Sequence, residues 1–187
     1  MSYNSDPLAW VIRIFNVFAG LIHITASILI FAQIGLNTDS VLIILAVTLI
    51  IVSCVRLLNS AFNKRLNTYL RISRLIVGIA ILILSSISFI TTFTESTKIT
   101  LLTIAILVNG IQRLLDGRFK KYYPVWFRIL STIVGLVTII LCTIVFVGTS
   151  FDIYTLIVLL AVTFMLNGIG RIMNAISTLN RSSKKHF

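Results

Sequence analysis

The sequence predicts an all-α polytopic membrane protein: six transmembrane helices arranged as three parallel tandem helical-hairpin repeats. Three observations predict it. The first is an apolarity that no soluble exterior could carry. Of 187 residues, 58% are hydrophobic and 11% charged, and the mean hydropathy is +1.06. The second is length, because six segments match the roughly 20 apolar residues that cross a hydrocarbon core about 30 Å thick. The third is an internal repeat that returns arginine, glycine and asparagine at fixed spacing. A closed β-barrel, the other spanning solution, needs alternating apolar and polar residues, and that alternation is absent.

The segments can be justified in order. Residues 8–32 follow MSYNSDPLAW, which lacks the basic stretch that precedes the apolar core of a secretory signal, so this segment is expected to remain as a span. Residues 40–62 contain VLIILAVTLIIVSCV, apolar on every helical face. Such a helix suits lipid or other helices, not water. Residues 67–92 carry Ser85, Ser86 and Ser88, which are expected to satisfy neighbours or their own backbone. Residues 97–117 begin with ITLLTIAILVNGI and end on an arginine motif. Residues 124–148 start at Pro124, and residues 153–177 complete the array. The links are short, so residues 1–187 read as one membrane domain with units of about 8–63, 66–120 and 123–180. Cys54 and Cys142 fall at different depths, which implies neither a disulfide nor a metal pair.

The repeat is visible without gaps. In the odd segments VIRIFNVFAGLIHITASILIF, YLRISRLIVGIAILILSSISF and WFRILSTIVGLVTIILCTIVF, three sets of residues coincide: Arg13, Arg71 and Arg128; Gly20, Gly78 and Gly135; Phe31, Phe89 and Phe146. In the even segments VSCVRLLN, NGIQRLLD and NGIGRIMN, Arg56, Arg113 and Arg171 coincide, each followed three residues later by Asn59, Asp116 or Asn174. Ser53, Gly110 and Gly168 share a small position, and the offsets are 57 or 58 residues throughout.

From Arg13 to Phe31 the helix runs roughly 27 Å at 1.5 Å per residue, close to the hydrocarbon thickness. Neighbouring segments run antiparallel, so all six arginines belong to one layer and the three phenylalanines mark the other. Of the 16 lysines and arginines, only Lys98 falls on the phenylalanine side, beside Asp39, Glu95 and Asp152. That asymmetry predicts cytoplasmic N and C termini in the cytoplasmic (plasma) membrane. The net charge of +11 is then a consequence of topology and calls for no nucleic acid. Anionic lipids on the cytoplasmic side are the expected partners, at about 1 kcal/mol per basic residue near the surface. A homo-oligomer is compatible with the sequence.

The arginines are not equivalent. Arg13, Arg71 and Arg128 begin their helices, and the Cα–Cβ tilt points them toward the cytoplasm, where they can snorkel. Arg56, Arg113 and Arg171 lie near helix C-termini, favoured by the dipole but tilted back toward the membrane. They need acceptors, and Asn59, Asp116 and Asn174 one turn nearer water could supply them. Two readings stay open: a structural anchor with a lipid headgroup as counterion, or a site for an anionic ligand. Gly20, Gly78, Gly135, Ser53, Gly110 and Gly168 read as helix-packing residues. Asn109 and Asn167 read as interhelical hydrogen-bond partners. His23 is the ionisable group nearest the bilayer midplane, either a neutral hydrogen-bonded core residue or a proton-sensitive one.

No carboxylate pair, His–Cys cluster, nucleophile–base pair or phosphate-binding glycine loop appears, so neither catalysis, a cofactor nor a metal is expected. A small-solute or ion transporter is the rival class, but both prolines lie outside helix interiors and no acidic ring suggests a cation filter. The W/Y-x-R-x6-G openings (Tyr69–Arg71–Gly78, Trp126–Arg128–Gly135) and the small-x-x-R endings at Ser53–Arg56, Gly110–Arg113 and Gly168–Arg171 resemble the HdeD-type short-repeat membrane proteins. The resemblance covers residues 8–177. It implies six membrane helices, no enzyme activity and a small envelope protein connected with stress such as acid.

Overall fold

A computed structural model describes residues 7–33, 38–62, 68–89, 93–119, 124–148 and 151–183. Its elements are α1 (Pro7–Gln33), α2 (Thr38–Phe62), α3 (Thr68–Ile87), α4 (Glu95–Phe119), α5 (Val125–Val147) and α6 (Ile153–Ser183). All six are long and apolar enough to cross a membrane, as the sequence predicts.

Local chemistry sets the helix ends. Pro7 opens α1, where a missing N–H costs nothing. Asp39 and Glu95 stand in the first turns of α2 and α4, where the dipole favours a carboxylate. Thr94 Oγ1 accepts the Thr97 N–H at 3.4 Å and caps α4. Helix α3 stops at Ile87, short of the expected residue 92. Its serines explain the early end: Ser88 Oγ donates to the Ser85 carbonyl at 2.6 Å, and the Phe89 N–H turns back to Ser86. Helix α6 continues to Ser183, beyond the expected 177, because its polar last turns emerge from the apolar span that ends at Met173. Inside the spans, Thr48, Thr103 and Thr163 donate to the carbonyl four residues back, which satisfies a hydroxyl where no water is available.

The helices close into a ring. Each packs on its sequence neighbours, and α1 returns to pack on α6. Each odd helix sits between two even ones and packs more extensively on the preceding one: α3 on α2, α5 on α4, and α1 on α6. The glycines explain this preference. A Cβ on Gly20 would meet Ile172, one on Gly78 would meet Leu57, and one on Gly135 would meet Leu114. Those three partners occupy aligned positions of the even segments. Helices α2 and α4 also touch, as do α4 and α6, so the even helices form the inner layer. Their shared core includes Leu45, Leu49, Leu102, Ile106, Leu160 and Phe164. The outer faces expose Phe18, Ile28, Ile76, Ile83, Leu136 and Ile140, as a lipid-facing surface requires. Phe31, Phe89 and Phe146 are exposed to nearly the same degree, 41%, 41% and 39%, at the end opposite the arginines.

Candidate functional site: an arginine chamber inside the ring

At the arginine end the ring forms a partly open cavity of about 60 Å³, several times the ~10–15 Å³ that one water needs. All six helices line it. Helix α1 supplies Asn16, α2 Arg56 and Asn59, α3 Arg74, α4 Gln112, Arg113 and Asp116, α5 Phe127 and Ser131, and α6 Gly170 and Arg171. The structure thus brings together Arg56, Arg113 and Arg171 from the three inner helices. It leaves Arg13, Arg71 and Arg128 half-exposed outside the chamber.

Outside, two arginines serve helix ends. Arg71 donates to the Ala61 carbonyl at 3.4 Å, and Arg128 Nε to the Gly117 carbonyl at 3.1 Å. Each bond satisfies a C-terminal carbonyl of the preceding even helix, which has no intrahelical partner.

Inside, the expected partnerships are rearranged. Asp116, three residues after Arg113, pairs with Arg74 on α3. Arg74 donates through Nε at 3.2 Å and Nη2 at 2.6 Å, a two-pronged ion pair. Gln112 Nε2 also donates to Asp116 at 3.3 Å. Arg113 Nη2 instead reaches the Asn167 backbone carbonyl on α6, and Arg56 Nη2 reaches Asn109 Oδ1 on α4. Asn59 does not serve Arg56; its Nδ2 donates to Asn16 Oδ1 at 3.5 Å. The side chain of Asn174 lies outside the described residues. The reason for the rearrangement is rotational. A residue three positions on is a helical neighbour, but the Arg56 and Arg113 side chains run across the ring to the next even helix.

Asn109 and Asn167 lie one helical turn before Arg113 and Arg171. Asn109 Nδ2 donates to Asn167 Oδ1 at 3.0 Å, and Asn167 Nδ2 donates to the Thr163 carbonyl at 2.9 Å and toward Thr138 Oγ1 at 3.4 Å. These are the interhelical bonds that the sequence predicts for the two asparagines. Gly170 makes room in the wall, since a Cβ there would collide with the Arg113 guanidinium.

The charge balance is lopsided. Four guanidiniums share the chamber with one carboxylate, and Arg74, Arg113 and Arg171 are 8–9% exposed. Among the described residues, Arg56 Nη1, Arg113 Nε and Arg171 Nε are buried without a hydrogen-bond partner, as are Asn59 Oδ1 and Gln112 Oε1. Buried donors and like charges at such density are costly unless something anionic joins them.

Arg74, Gln112, Asn16, Ser131 and Gly170 were not singled out by sequence. A signal existed: Asn16, Arg74 and Ser131 are aligned, and all three are polar. His23 lies outside the chamber lining. It is 1% exposed, its Nδ1–H donates to the Ala19 carbonyl at 2.8 Å, and its ring stands 5.1 Å from that of Phe164. Gly168 and Gly20 pack backbone to backbone one turn away, as do Gly110 and Gly135. Ser53, their aligned counterpart, is fully buried and donates to the Ile50 carbonyl at 2.8 Å.

Six apolar spanning helices around a buried polar chamber define a multi-pass α-helical membrane protein. Residues 18–91, from α1 to just past the end of α3, match the family described as "Short repeat of unknown function (DUF308)". The matched stretch holds Gly20, Arg56, Arg74 and Gly78. No curated protein and no solved structure matches the chain significantly.

Proposed function

We propose that this chain is a non-catalytic protein of the cytoplasmic membrane, with both termini in the cytoplasm, that holds an anionic group in the arginine chamber. The observation that carries this reading is the set of buried guanidinium N–H groups without partners on Arg56, Arg113 and Arg171. They belong to side chains that line a cavity where Asp116, paired with Arg74, is the one carboxylate among the described lining residues. The distribution of lysine and arginine supports the orientation, because the chamber then faces the cytoplasm. It also supports anionic lipid headgroups as neighbours of the exposed arginines. The resemblance to HdeD-type proteins supports a place in the envelope stress response, with anion occupancy as the molecular event.

The rival reading, transport, is weakened by the packing deeper in the bundle. Beneath Asn109 and Asn167 the inner helices meet through Leu45, Leu49, Leu102, Ile106, Leu160 and Phe164, each at most 1% exposed. Such packing leaves no room for a hydrated ion. Native mass spectrometry of gently purified protein tests the proposal. An anionic adduct on the wild type that is lost in Arg171→Gln is expected. Bare protein in both samples, or anion flux through reconstituted liposomes, would contradict it.

A further inference from the structure

The chamber lacks partners for acceptors as well as for donors. Gln112 Nε2 donates to Asp116, and a carboxylate oxygen only accepts, so this contact fixes which way the Gln112 amide faces. Among the described residues, Gln112 Oε1 is therefore a buried acceptor with no donor, and Asn59 Oδ1 also lacks one. A bare anion such as chloride or sulfate would satisfy Arg56 Nη1, Arg113 Nε and Arg171 Nε. It would also set further negative charge against the two amide oxygens. A ligand that serves both sets carries anionic oxygens and at least one hydroxyl. The planar fork of arginine suits the tetrahedral oxygens of phosphate, and about 60 Å³ accommodates a group of a few heavy atoms.

We propose that the chamber binds a phosphate group that bears a hydroxyl donor, with the anionic oxygens on the arginines and the hydroxyl on Gln112 Oε1 or Asn59 Oδ1. Two sources share this chemistry: inorganic hydrogen phosphate, and a phosphodiester lipid with a glycerol headgroup. This rests on the reading of the chamber as an anion site, and the experiment separates the two claims.

Delipidated, detergent-solubilised protein is unfolded thermally at pH 8 in phosphate, sulfate or chloride of equal ionic strength, and affinities are taken from the concentration dependence of the midpoint. Phosphate is expected to bind roughly tenfold more tightly than sulfate, the worth of one hydrogen bond to a charged ligand. In Gln112→Met the phosphate-to-sulfate ratio is expected to fall toward one. Sulfate should still stabilise that variant, which shows that it folds. A second arm uses nanodiscs of phosphatidylcholine with phosphatidylglycerol. Stabilisation by phosphatidylglycerol that free phosphate competes away supports the proposal with the headgroup as occupant. Stabilisation by free phosphate alone supports it with the ion as occupant. Equal stabilisation by phosphate and sulfate overturns the hydroxyl inference and leaves an anion site. No stabilisation by any anion overturns both claims.

Discussion

Arg113 and Arg13 each contribute one charge to the same layer, yet their surroundings differ. Arg113 is buried, its Nη2 bonds a carbonyl of α6 and its Nε has no partner among the described residues; Arg13 is half-exposed. In phosphate buffer, Arg113→Leu is expected to cost about 1–3 kcal/mol, the penalty of leaving buried polar groups unmatched, and Arg13→Leu much less. Arg113→Lys should recover part of the loss, because an ammonium lacks the planar fork. Thermal-shift measurements compare them, and equal shifts for the two leucine variants would reduce the buried arginine to a topology marker. Asp116→Asn separates stability from affinity. It breaks the part-buried Arg74–Asp116 ion pair, at a cost of up to about 3 kcal/mol, while it removes a negative charge that competes with the ligand. The unliganded protein should melt earlier and bind phosphate more tightly. The pairing behind this prediction was not legible in the sequence. Asp116 lies three residues from Arg113, whereas Arg74 is on a different helix. The position of Arg74 is held by Asn16 and Ser131 in the other two units, so no shared residue type marks it.

At the scale of elements, the repeat was legible down to its small residues, but the choice of neighbour was not. Six apolar runs and short links describe hairpins. They do not disclose that α1 packs more on α6 than on α2, because that depends on which helix presents a groove to Gly20. The glycines are therefore not interchangeable. A Cβ on Gly168 would stand 2.8 Å from the Gly20 carbonyl, and one on Gly135 2.9 Å from both the Gly110 carbonyl and the Leu114 nitrogen. Backbone cannot yield without moving a helix. On Gly78 the obstacle is the end of the Leu57 side chain at 2.8 Å, which can turn aside. Gly168→Ala and Gly135→Ala are expected to lose about 1–3 kcal/mol, as overpacked contacts do. Gly78→Ala should lose clearly less. Reversible unfolding in detergent ranks the three, and a loss for Gly78→Ala as large as the others would contradict the account of how the ring closes.

For the whole molecule, hydropathy and charge made the membrane class and the two-sided layout readable, since both are sums over many residues. The chamber was not readable, because it exists only after six helix ends converge. Its orientation has a direct check. A cysteine at Ser96, exposed at the start of α4, should react with an impermeant thiol reagent added outside intact cells, and one at Arg118, exposed at the end of α4, should be protected. The reverse pattern would turn the chamber outward. Occupancy of the chamber is the central claim, and arsenate tests it most directly, since it copies the shape, charge and hydroxyl of hydrogen phosphate and scatters X-rays anomalously. In crystals grown with arsenate, the account predicts an anomalous peak within hydrogen-bonding distance of Arg56, Arg113 and Arg171. Arsenate found only at the outer arginines Arg13, Arg71 and Arg128, with none inside the ring, would contradict it.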